Sequence, residues 1–422
     1  MLAALRDIVG PTHVGEPDPE LAELDGVPLA GVVRPGDADE VAACLRAAAA
    51  SGIAIVPSGG GTKLAFGNVA QAKSLAVLKL DRLAEPPILE PDEGIATAGA
   101  GVDLGALSAR LASSQRRSAF PGLPSRATVG GSIAVDPLTL ERTATGGLRQ
   151  DLLGLTVALA DGTVARCGGR VVKNVTGFDL VRLYCGSLGS LCVITEATFR
   201  LRPLPETRRI FARRGLDARA AVAVTVELAT LGVAPVGAAI RPDGTSLAVL
   251  WCIEGQGDDV EERASRVAAD TATEAEWADA AAALDGGSAE VKARGVDGAR
   301  DAVSAPAGRA DGQVVLRVGT RPSELGSVLA AIDPDRASER LIVALPVLGG
   351  ALVAVAADRV GVWQERALRE RWLLWLESAP VSVKRACDVF GPAPDSLPLL
   401  RRIKAQFDPT GTLSPGRFVG GI

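Results

Sequence analysis

The sequence has very little of the residues on which several kinds of functional site depend. Histidine occurs once in 422 residues, at position 13, so the chain alone cannot build a metal or proton-transfer site on two histidines. Aromatic residues make up only 3 %, too few for the stacking platforms that bind single-stranded nucleic acid. The net charge of −5, with no evident basic face, also argues against a DNA or RNA partner.

Long apolar runs and paired cysteines are missing as well. No stretch of about 18 apolar residues predicts a transmembrane helix, and residues 1–10 lack the pattern of a signal peptide. The six cysteines form no C-x-x-C pair, which predicts reduced, scattered thiols and leaves no ligand set for an iron–sulfur cluster. We therefore expect a cytoplasmic protein, at most peripheral to the inner membrane through its partners.

The length and the texture of the sequence predict more than one domain. A chain of 422 residues exceeds one compact core. Residues 1–27 look like a polar, Pro-rich lead-in, strand and helix patterns alternate from 28, and Pro203 with Pro205 marks a boundary near 205. Residues 206–395 then alternate strands with Ala-rich helices, including solvated helices within 258–310 and an amphipathic helix over 363–377. The tail covers 396–422.

A glycine-rich loop directly follows the second predicted strand, Ile53–Pro57. It consists of Ser58, Gly59, Gly60, Gly61 and Thr62. Glycines allow positive φ angles and the close approach of a ligand, and successive backbone N–H groups can bind a pyrophosphate. Lys63 comes after Thr62, so this is not a Walker A loop, and the G-x-G-x-x-G pattern of a Rossmann fold is absent. Taken alone, the triplet fits a flexible turn better than a phosphate site.

Two further glycine segments favour a ligand. Gly130, Gly131 and Ser132 lie between apolar residues, and Gly186–Thr195 leads into a buried strand whose backbone could meet the polar edge of a flat ring. Without the other loops, the last segment fits the start of a packed strand equally well. Three such segments together predict one long ligand held between them, and a dinucleotide is long enough.

The segments that carry these loops resemble the FAD-binding domain of flavoproteins of the vanillyl-alcohol-oxidase and p-cresol-methylhydroxylase type. The matching motifs are P-S-G-G-G-T at 57–62, T-V-G-G-S-I-A at 128–134, G-G-R-V-V-K-N-V-T-G-F-D-L at 168–180, G-S-L-G-S-L-C-V-I-T-E at 186–196, and the tail pattern from Ile403 to Arg417. Within that family the sequence is most similar to the glycolate oxidase FAD-binding accessory subunit, and G-R-V-V-K-N-V-T-G-F-D is its most specific mark.

The resemblance implies an α+β fold with a two-part FAD domain and a ferredoxin-like α+β cap. The FAD domain would cover 28–205, with subdomains of about 28–90 and 91–205; the cap would cover 206–395, and the tail would return to the FAD domain. The implied cofactor contacts are Pro57, Ser58, Gly59, Gly60, Gly61, Thr62, Pro121, Gly122, Ala127, Thr128, Val129, Gly130, Gly131, Ser132, Ala134, Ile194 and Thr195. Lys173, Asn174 and Asp179 match the family segment without individual roles.

The resemblance also implies how the flavin is attached and which catalytic residues of the family this sequence lacks. Covalent attachment in the family uses His or Cys, and no such residue falls in the loops expected to face the ring, so we expect non-covalent FAD. Catalytic relatives that oxidise 2-hydroxy acids carry a metal and histidine constellation in the cap. With no histidine after position 13, this chain has neither that constellation nor any predicted metal site.

Three functions remain open at this stage. The leading hypothesis is a flavin-carrying subunit of a glycolate or 2-hydroxy acid oxidase complex, with a histidine-bearing catalytic flavoprotein and an iron–sulfur subunit as partners. The second is a stand-alone FAD oxidoreductase on an alcohol or hydroxy acid, and the third is a non-catalytic flavin-binding scaffold. Arg317 and Arg417 are the candidates to clamp a substrate carboxylate, and Tyr184, the single tyrosine, fits a structural segment.

Overall fold

Three β-sheets organise the protein. The computed structural model describes residues 2–17, 22–170, 177–284, 312–333, 336 and 338–422. Within these ranges there are two five-stranded sheets, an eight-stranded sheet and one two-stranded ladder. No helix of the described part is long and apolar enough to cross a membrane.

The first sheet carries the glycine triplet at the end of one strand. Its elements are α1 (Leu2–Val9), β1 (Val14–Gly15), β2 (Glu23–Leu24), β3 (Val27–Val33), α2 (Ala38–Ala50), β4 (Ala54–Ser58) and β5 (Leu75–Lys79). The Asp37 carboxylate accepts the N–H of Glu40 at 2.8 Å, so α2 begins where the sequence predicts its cap. The order is β1-β3-β5-β4, with β2 on β3, and β3, β5 and β4 are parallel.

The N-terminal residues are part of this unit and more than a lead-in. In α1, Leu5 is fully buried and Val9 nearly so, and β1 pairs with β3. At the other end of the chain, Ile55 of β4 donates its N–H to the carbonyl of Thr412 at 2.7 Å, and Ser414 donates to Ile55 at 2.8 Å. The F-D-P-T-G tail motif therefore packs beside the strand that leads into the glycine loop.

The second sheet is antiparallel, in the order β10-β9-β11-β7-β6. The elements of this region are β6 (Ile88–Glu90), β7 (Ile95–Gly99), α3 (Leu104–Ala112), β8 (Arg116–Arg117), α4 (Val129–Val135), α5 (Arg142–Thr145), α6 (Leu148–Asp151), β9 (Leu152–Ala158), β10 (Val164–Gly168), α7 (Leu180–Tyr184), β11 (Val193–Arg200) and β12 (Arg202–Pro203). One continuous apolar core joins it to the first sheet, running from Leu5 through Ile133 to Leu413. The two sheets therefore hold the glycine loops in one rigid body.

The third sheet repeats one topology twice. Its region contains β13 (Thr207–Leu216), α8 (Ala218–Thr230), β14 (Gly237–Asp243), β15 (Ser246–Gly255), α9 (Gly257–Ser265), β16 (Asp270–Thr271), α10 (Glu274–Ala283), β17 (Gln313–Gly319), α11 (Leu325–Leu329), β18 (Arg340–Leu345), β19 (Gly350–Ala356), α12 (Val360–Glu370), β20 (Leu373–Ser378), α13 (Val381–Ala386) and α14 (Leu397–Phe407). The order is β16-β13-β15-β14-β18-β19-β17-β20. Each half is a β-α-β-β-α-β unit, and β14 and β18 join the two halves.

The predicted helix over 363–377 is wrong in its second half. Helix α12 ends at Glu370, Arg371 adopts the left-handed conformation with φ 59°, and the chain continues as β20. Trp375 therefore lies on a strand, paired with Arg317 in the register of β17 and β20. Leu368, an apolar residue of α12, is 64 % exposed. The predicted charged segment 258–310 contains α9 and α10, while its residues 285–310 lie outside the described residues.

Candidate functional site

The glycine triplet lies flat against the backbone that leads into α4. A Cβ on Gly60 would overlap the carbonyl oxygen of Arg126, and one on Gly59 would overlap the hydroxyl of Thr128. Gly61 has a φ of 72°. Each of these three positions therefore needs glycine for a steric or conformational reason of its own.

The second glycine pair begins α4, whose N-cap is Thr128. The Thr128 hydroxyl accepts the N–H of Gly131 at 3.3 Å. A Cβ on Gly130 would stand 2.6 Å from the Cβ of Ala100, so glycine lets α4 sit against the end of β7. The two predicted loops thus meet, and they do so through backbone atoms.

A pocket of about 90 Å³ lies between the triplet, α4 and the residues before β11. Its walls are formed by Val56, Pro57, Ser58, Gly59, Gly60, Gly61, Thr62, Lys63, Leu64, Phe66, Leu80, Thr128, Gly130, Gly131, Ala134, Val135, Leu188, Gly189, Cys192, Ile194 and Arg417. We call it the glycine pocket. All three glycine segments singled out in the sequence contribute to it.

The glycine pocket fits an anionic ligand such as a pyrophosphate. The Ser58 hydroxyl is buried in its wall and has no hydrogen-bond partner within the described residues. Nearby, the hydroxyls of Ser132 and Ser187 are also buried and unpartnered. A buried hydroxyl without a partner costs free energy unless a ligand supplies one. In the wall of the pocket, the glycine backbone and the unpartnered Ser58 hydroxyl together provide hydrogen-bond donors for an anion.

Replacing Ser58 with Ala is expected to separate ligand binding from stability. The free energy of unfolding of the ligand-free protein should stay the same or rise slightly, because the substitution removes an unsatisfied buried hydroxyl. Affinity for the dinucleotide should fall about 10-fold, because one hydrogen bond to the ligand is lost. Fluorescence titration and chemical denaturation measure the two quantities. Ser113→Ala, at an exposed serine that donates to Arg110 O at 2.8 Å, is the control. Equal affinity of the Ser58→Ala and control proteins would contradict this assignment.

A second, larger cavity of about 580 Å³ adjoins the glycine pocket. The two share Phe66, Val135 and Leu188 in their walls. The larger cavity is lined by Phe66, Val135, Asp136, Leu138, Arg142, Arg149, Gly186, Leu188, Arg317, Val318, Gly319, Leu345, Leu348, Gly350, Leu373, Trp375, Phe390, Pro392, Pro394, Phe418 and Val419. Since these residues come from α4–α6, from the eight-stranded sheet and from the tail, we call it the interdomain cavity.

A buried ion cluster connects the two cavities. Glu377 on β20 accepts a hydrogen bond from Lys63 Nζ at 2.8 Å and another from Arg317. The Glu377 side chain is 2 % exposed, and each cation is 13 % exposed. Burial alone would raise the pKa of Glu377, but the adjacent Lys63 and Arg317 charges outweigh it and lower the pKa to about 2. A residue next to the glycine triplet is thus tied to a residue of the interdomain cavity.

Two further arginines face the interdomain cavity from the second sheet region. The Arg142 guanidinium binds Asp136 through two hydrogen bonds of 3.0 and 3.1 Å. Arg149 donates to the carbonyl of Cys185 at 2.8 Å and forms no ion pair with any residue in the described part of the chain. Arg142 is therefore neutralised locally, while Arg149 presents a positive charge.

The predicted cofactor residues divide into two groups. Those that line the glycine pocket are Pro57, Ser58, Gly59, Gly60, Gly61, Thr62, Thr128, Gly130, Gly131, Ala134 and Ile194. Those that the structure does not bring to its wall are Pro121, Gly122, Ala127, Val129, Ser132 and Thr195. Gly122 faces Glu141, Val129 is buried in the core, and the Thr195 hydroxyl donates to Thr156 O at 3.0 Å. The side chains of Val129 and Thr195 therefore contribute to core packing and sheet pairing, and the cofactor contacts of all six residues stay predictions.

The two candidate arginines have different surroundings. Arg317 lines the interdomain cavity, with its guanidinium 5.4 Å from the ring centroid of Trp375 and 5.9 Å from that of Phe66. Arg417 is 4 % exposed and donates to the carbonyls of Leu64 and Phe66. Those contacts and the Asp25 carboxylate at 3.6 Å fix the loop after the triplet, which favours a positioning role for Arg417 at the wall of the glycine pocket, and the carboxylate clamp stays a prediction.

Several residues of the site were not predicted from the sequence. Cys192, which the sequence did not place at the site, lines the glycine pocket. Lys63, Glu377, Phe66 and Trp375 carry no local signal because they converge from distant parts of the chain. Lys173 and Asn174 lie outside the described residues. Asp179, which is described, accepts the N–H of Arg182 at 3.1 Å and caps α7.

The histidine of the chain lies away from both cavities. His13 lies in the short helix Pro11–His13 and lines neither cavity. Within the described ranges no cluster of three or more His, Cys, Asp or Glu side chains could hold a metal ion. The carboxylates that face the interdomain cavity or its ion cluster, Asp136 and Glu377, are both engaged by arginine.

Residues 28–168 match the family model of the FAD binding domain. Among curated proteins, the glycolate oxidase subunit GlcD of Bacillus subtilis is 35 % identical over 181 residues, which is 42 % of this chain and 38 % of that protein. The chain thus matches little more than a third of that relative. An uncharacterized FAD-linked oxidoreductase of Mycobacterium tuberculosis (strain H37Rv) is 28 % identical over 479 aligned positions, covering 100 % of this chain and 99 % of the relative.

The fold is also similar to a solved structure. Substrate-bound p-cresol methylhydroxylase superposes with a TM-score of 0.71 at 14 % sequence identity, covering 99 % of this chain and 95 % of that one. At this identity the likeness concerns the fold alone. It includes the eight-stranded sheet as well as the two sheets that hold the glycine pocket.

Proposed function

Because residues 28–168 match the model of the FAD binding domain, we propose that the chain carries the flavin of a 2-hydroxy acid oxidase (dehydrogenase) complex. In this role it passes electrons from the hydroxy acid to a partner. The observation that carries the proposal is the contact between the two cavities. The glycine pocket suits the pyrophosphate of FAD, and it shares Phe66, Val135 and Leu188 with the wall of a cavity that contains arginines.

The proposed roles follow from the contacts of each residue. The backbone of Gly59–Thr62 and the Ser58 hydroxyl would hold the pyrophosphate, and Gly189, Cys192 and Ile194 would contact the adjoining part of the FAD. Arg317 and Arg149 bind the carboxylate of the substrate. Bound FAD supplies the two-electron acceptor, so that R–CHOH–COO⁻ plus FAD gives R–CO–COO⁻ plus FADH₂.

We propose that the flavin is held without a covalent bond. Cys192 is the cysteine that lines the glycine pocket, and a covalent link through it requires the thiolate. Burial raises the pKa of the Cys192 thiol well above its ordinary value, so the reactive form is strongly disfavoured. The support for non-covalent binding is thus the inertness of the thiol and not its absence from the pocket.

The proposed partners follow from what the interdomain cavity lacks. Oxidation of a hydroxyl group requires a base for its proton, and the carboxylates near the cavity are held by arginines. A histidine-bearing catalytic flavoprotein and an iron–sulfur subunit would supply the base and the electron acceptor. All six cysteines are free, which supports a reducing compartment such as the cytoplasm.

A stand-alone oxidoreductase is the second candidate, and the size of the interdomain cavity favours it. A volume of about 580 Å³ with arginines on two sides is a fitting site for a substrate of this chain's own. In either case we assign residues 28–205 to the FAD domain and 206–395 to the cap. We classify the cap as two ferredoxin-like units, on the basis of its repeated β-α-β-β-α-β order.

The proposal predicts a yellow protein whose flavin is released by acid. After purification and desalting, acid precipitation should leave all flavin in the supernatant. Anaerobic addition of glycolate or lactate then distinguishes the candidates through the visible absorption of the flavin. Bleaching of the isolated chain supports the stand-alone enzyme, and bleaching only after addition of the partner subunits supports the complex. A colourless protein that takes up no added FAD would refute both.

A further inference from the structure

The interdomain cavity contains an unusual share of the chain's few aromatic residues. The sequence has eight Phe, five Trp and one Tyr, and three of these Phe and one Trp line this cavity. The rings form one cluster around Phe390. Its centroid lies 5.6 Å from that of Phe66, 5.4 Å from that of Phe418 and 6.3 Å from that of Trp375. Leu138, Leu345, Leu348 and Leu373 extend the apolar wall.

The same cavity carries a surplus of positive charge. Three arginines, Arg142, Arg149 and Arg317, line it against one carboxylate, Asp136, and the Glu377 carboxylate pairs with Arg317. Arg149 forms no ion pair within the described part of the chain, and Arg142 is neutralised by Asp136. Removal from water strengthens the attraction between such cations and an anionic ligand. The cavity is therefore suited to a ligand with one anionic end.

We propose that the interdomain cavity selects carboxylic acids whose substituent is aromatic or bulky and apolar, in preference to glycolate. The inference rests on the proposed function and names the substrate class of the same site. Glycolate has no apolar substituent, so it would leave the wall around Phe390 in contact with water. A phenyl or branched alkyl group would cover that wall while its carboxylate meets Arg317 or Arg149.

Binding of unreactive analogues tests the selection without any turnover. The FAD-loaded protein is titrated with acetate, phenylacetate, 3-phenylpropionate and glutarate, and binding is followed by calorimetry and by perturbation of the visible flavin spectrum. We expect the phenyl compounds to bind about 10- to 100-fold more tightly than acetate, as burial of one aromatic side chain would produce. Equal binding of acetate and phenylacetate would overturn the inference. Tightest binding of glutarate would also overturn it, because the arginines would then accept two carboxylates.

Two pairs of variants locate the selectivity on the cavity wall. Leu373 and Leu368 are 66 % and 64 % exposed, but only Leu373 lines the cavity. Leu373→Ala is expected to weaken 3-phenylpropionate about 3-fold and to leave acetate unchanged, whereas Leu368→Ala changes neither. Arg149→Gln should weaken every carboxylate about 10-fold, because the charged partner is lost from all of them. Arg110→Gln, on the exposed face of α3, is its control. Identical behaviour of Leu373→Ala and Leu368→Ala would place the selective surface elsewhere and overturn the inference.

Failure of this inference is distinguishable from failure of the proposed function. If glycolate bleaches the flavin while phenyl carboxylates bind no more tightly than acetate, only the substrate class is wrong. If the phenyl carboxylates bind in the expected order and no 2-hydroxy acid bleaches the flavin with or without partners, the cavity takes this class of ligand and the proposed reaction is wrong. The titrations therefore decide the ligand class independently of the redox assay.

Discussion

A Gly60→Ala protein is expected to lose its flavin. The added methyl group would overlap the carbonyl oxygen of Arg126 and lie 3.0 Å from its carbonyl carbon. This backbone has little room to move, because it leads into Ala127, which is 5 % exposed, and into Thr128, the cap of α4. The triplet must therefore move away and lose its alignment with the pyrophosphate. Loss of two hydrogen bonds to a charged group, at about 1.5–3 kcal/mol each, predicts an affinity at least about 100-fold lower. The flavin-to-protein ratio after desalting measures the effect.

The matched control is Gly361→Ala. Gly361 lies in α12, and a Cβ there would meet no atom within 4 Å, so this change should keep the flavin and slightly favour the helix. Overpacking at Gly60 costs about 1–3 kcal/mol of stability in addition, so circular dichroism has to show that the variant is folded at the temperature of the assay. A folded Gly60→Ala protein that retains a full complement of flavin would contradict the role of the triplet.

The glycine pocket could be predicted from the sequence because its requirements are local. Backbone contacts that tolerate no side chain require glycine at fixed positions. In this chain they explain the triplet Gly59-Gly60-Gly61 after a strand and the second glycine pair at 130–131. Helix α3 also has a local determinant, since the side chain of Asp103 accepts the N–H of Ala106 and caps its first turn. Such features can be recognised in the sequence because the residues that cause them lie within a few positions of one another.

The interdomain cavity could not be predicted from the sequence in this way. Lys63, Arg317 and Glu377 are separated by more than 50 residues in sequence, and only the pairing of β17 with β20 brings the last two together. The segment 372–377 is apolar enough to fit either a helix or a strand. The left-handed residue that ends α12 is Arg371 and not a glycine, so the end of the helix could not be predicted from the sequence. Tertiary pairing therefore decided both the structure of this segment and the position of Glu377.

Replacing Glu377 with Gln is expected to destabilise the protein strongly. It leaves Lys63 and Arg317, both largely buried, without the carboxylate that holds them. Breaking a buried ion pair by removing one partner costs about 3–5 kcal/mol. This cost in unfolding free energy agrees with the lowered pKa of Glu377. A decrease in its pKa from an ordinary value near 4.5 to about 2 corresponds to about 3 kcal/mol of stability at neutral pH. Urea unfolding at pH 7 measures the loss. Glu227→Gln, at the more exposed pair with Arg213, is the control and should lose no more than about 1 kcal/mol.

The pH dependence gives this prediction a second, independent signature. Because the pKa of Glu377 is lower in the folded protein than in the unfolded chain, its contribution to stability is fully present above about pH 4.5 and is lost as the pH falls toward 2. The difference in unfolding free energy between wild type and Glu377→Gln should therefore be largest near neutral pH and shrink as the pH falls below 4.5. A difference that stays constant from pH 7 to pH 3 would mean that the glutamine disturbs packing and not charge. Since Lys63 adjoins the triplet, the variant should also bind FAD more weakly, which would link the ion cluster of the cap to retention of the cofactor.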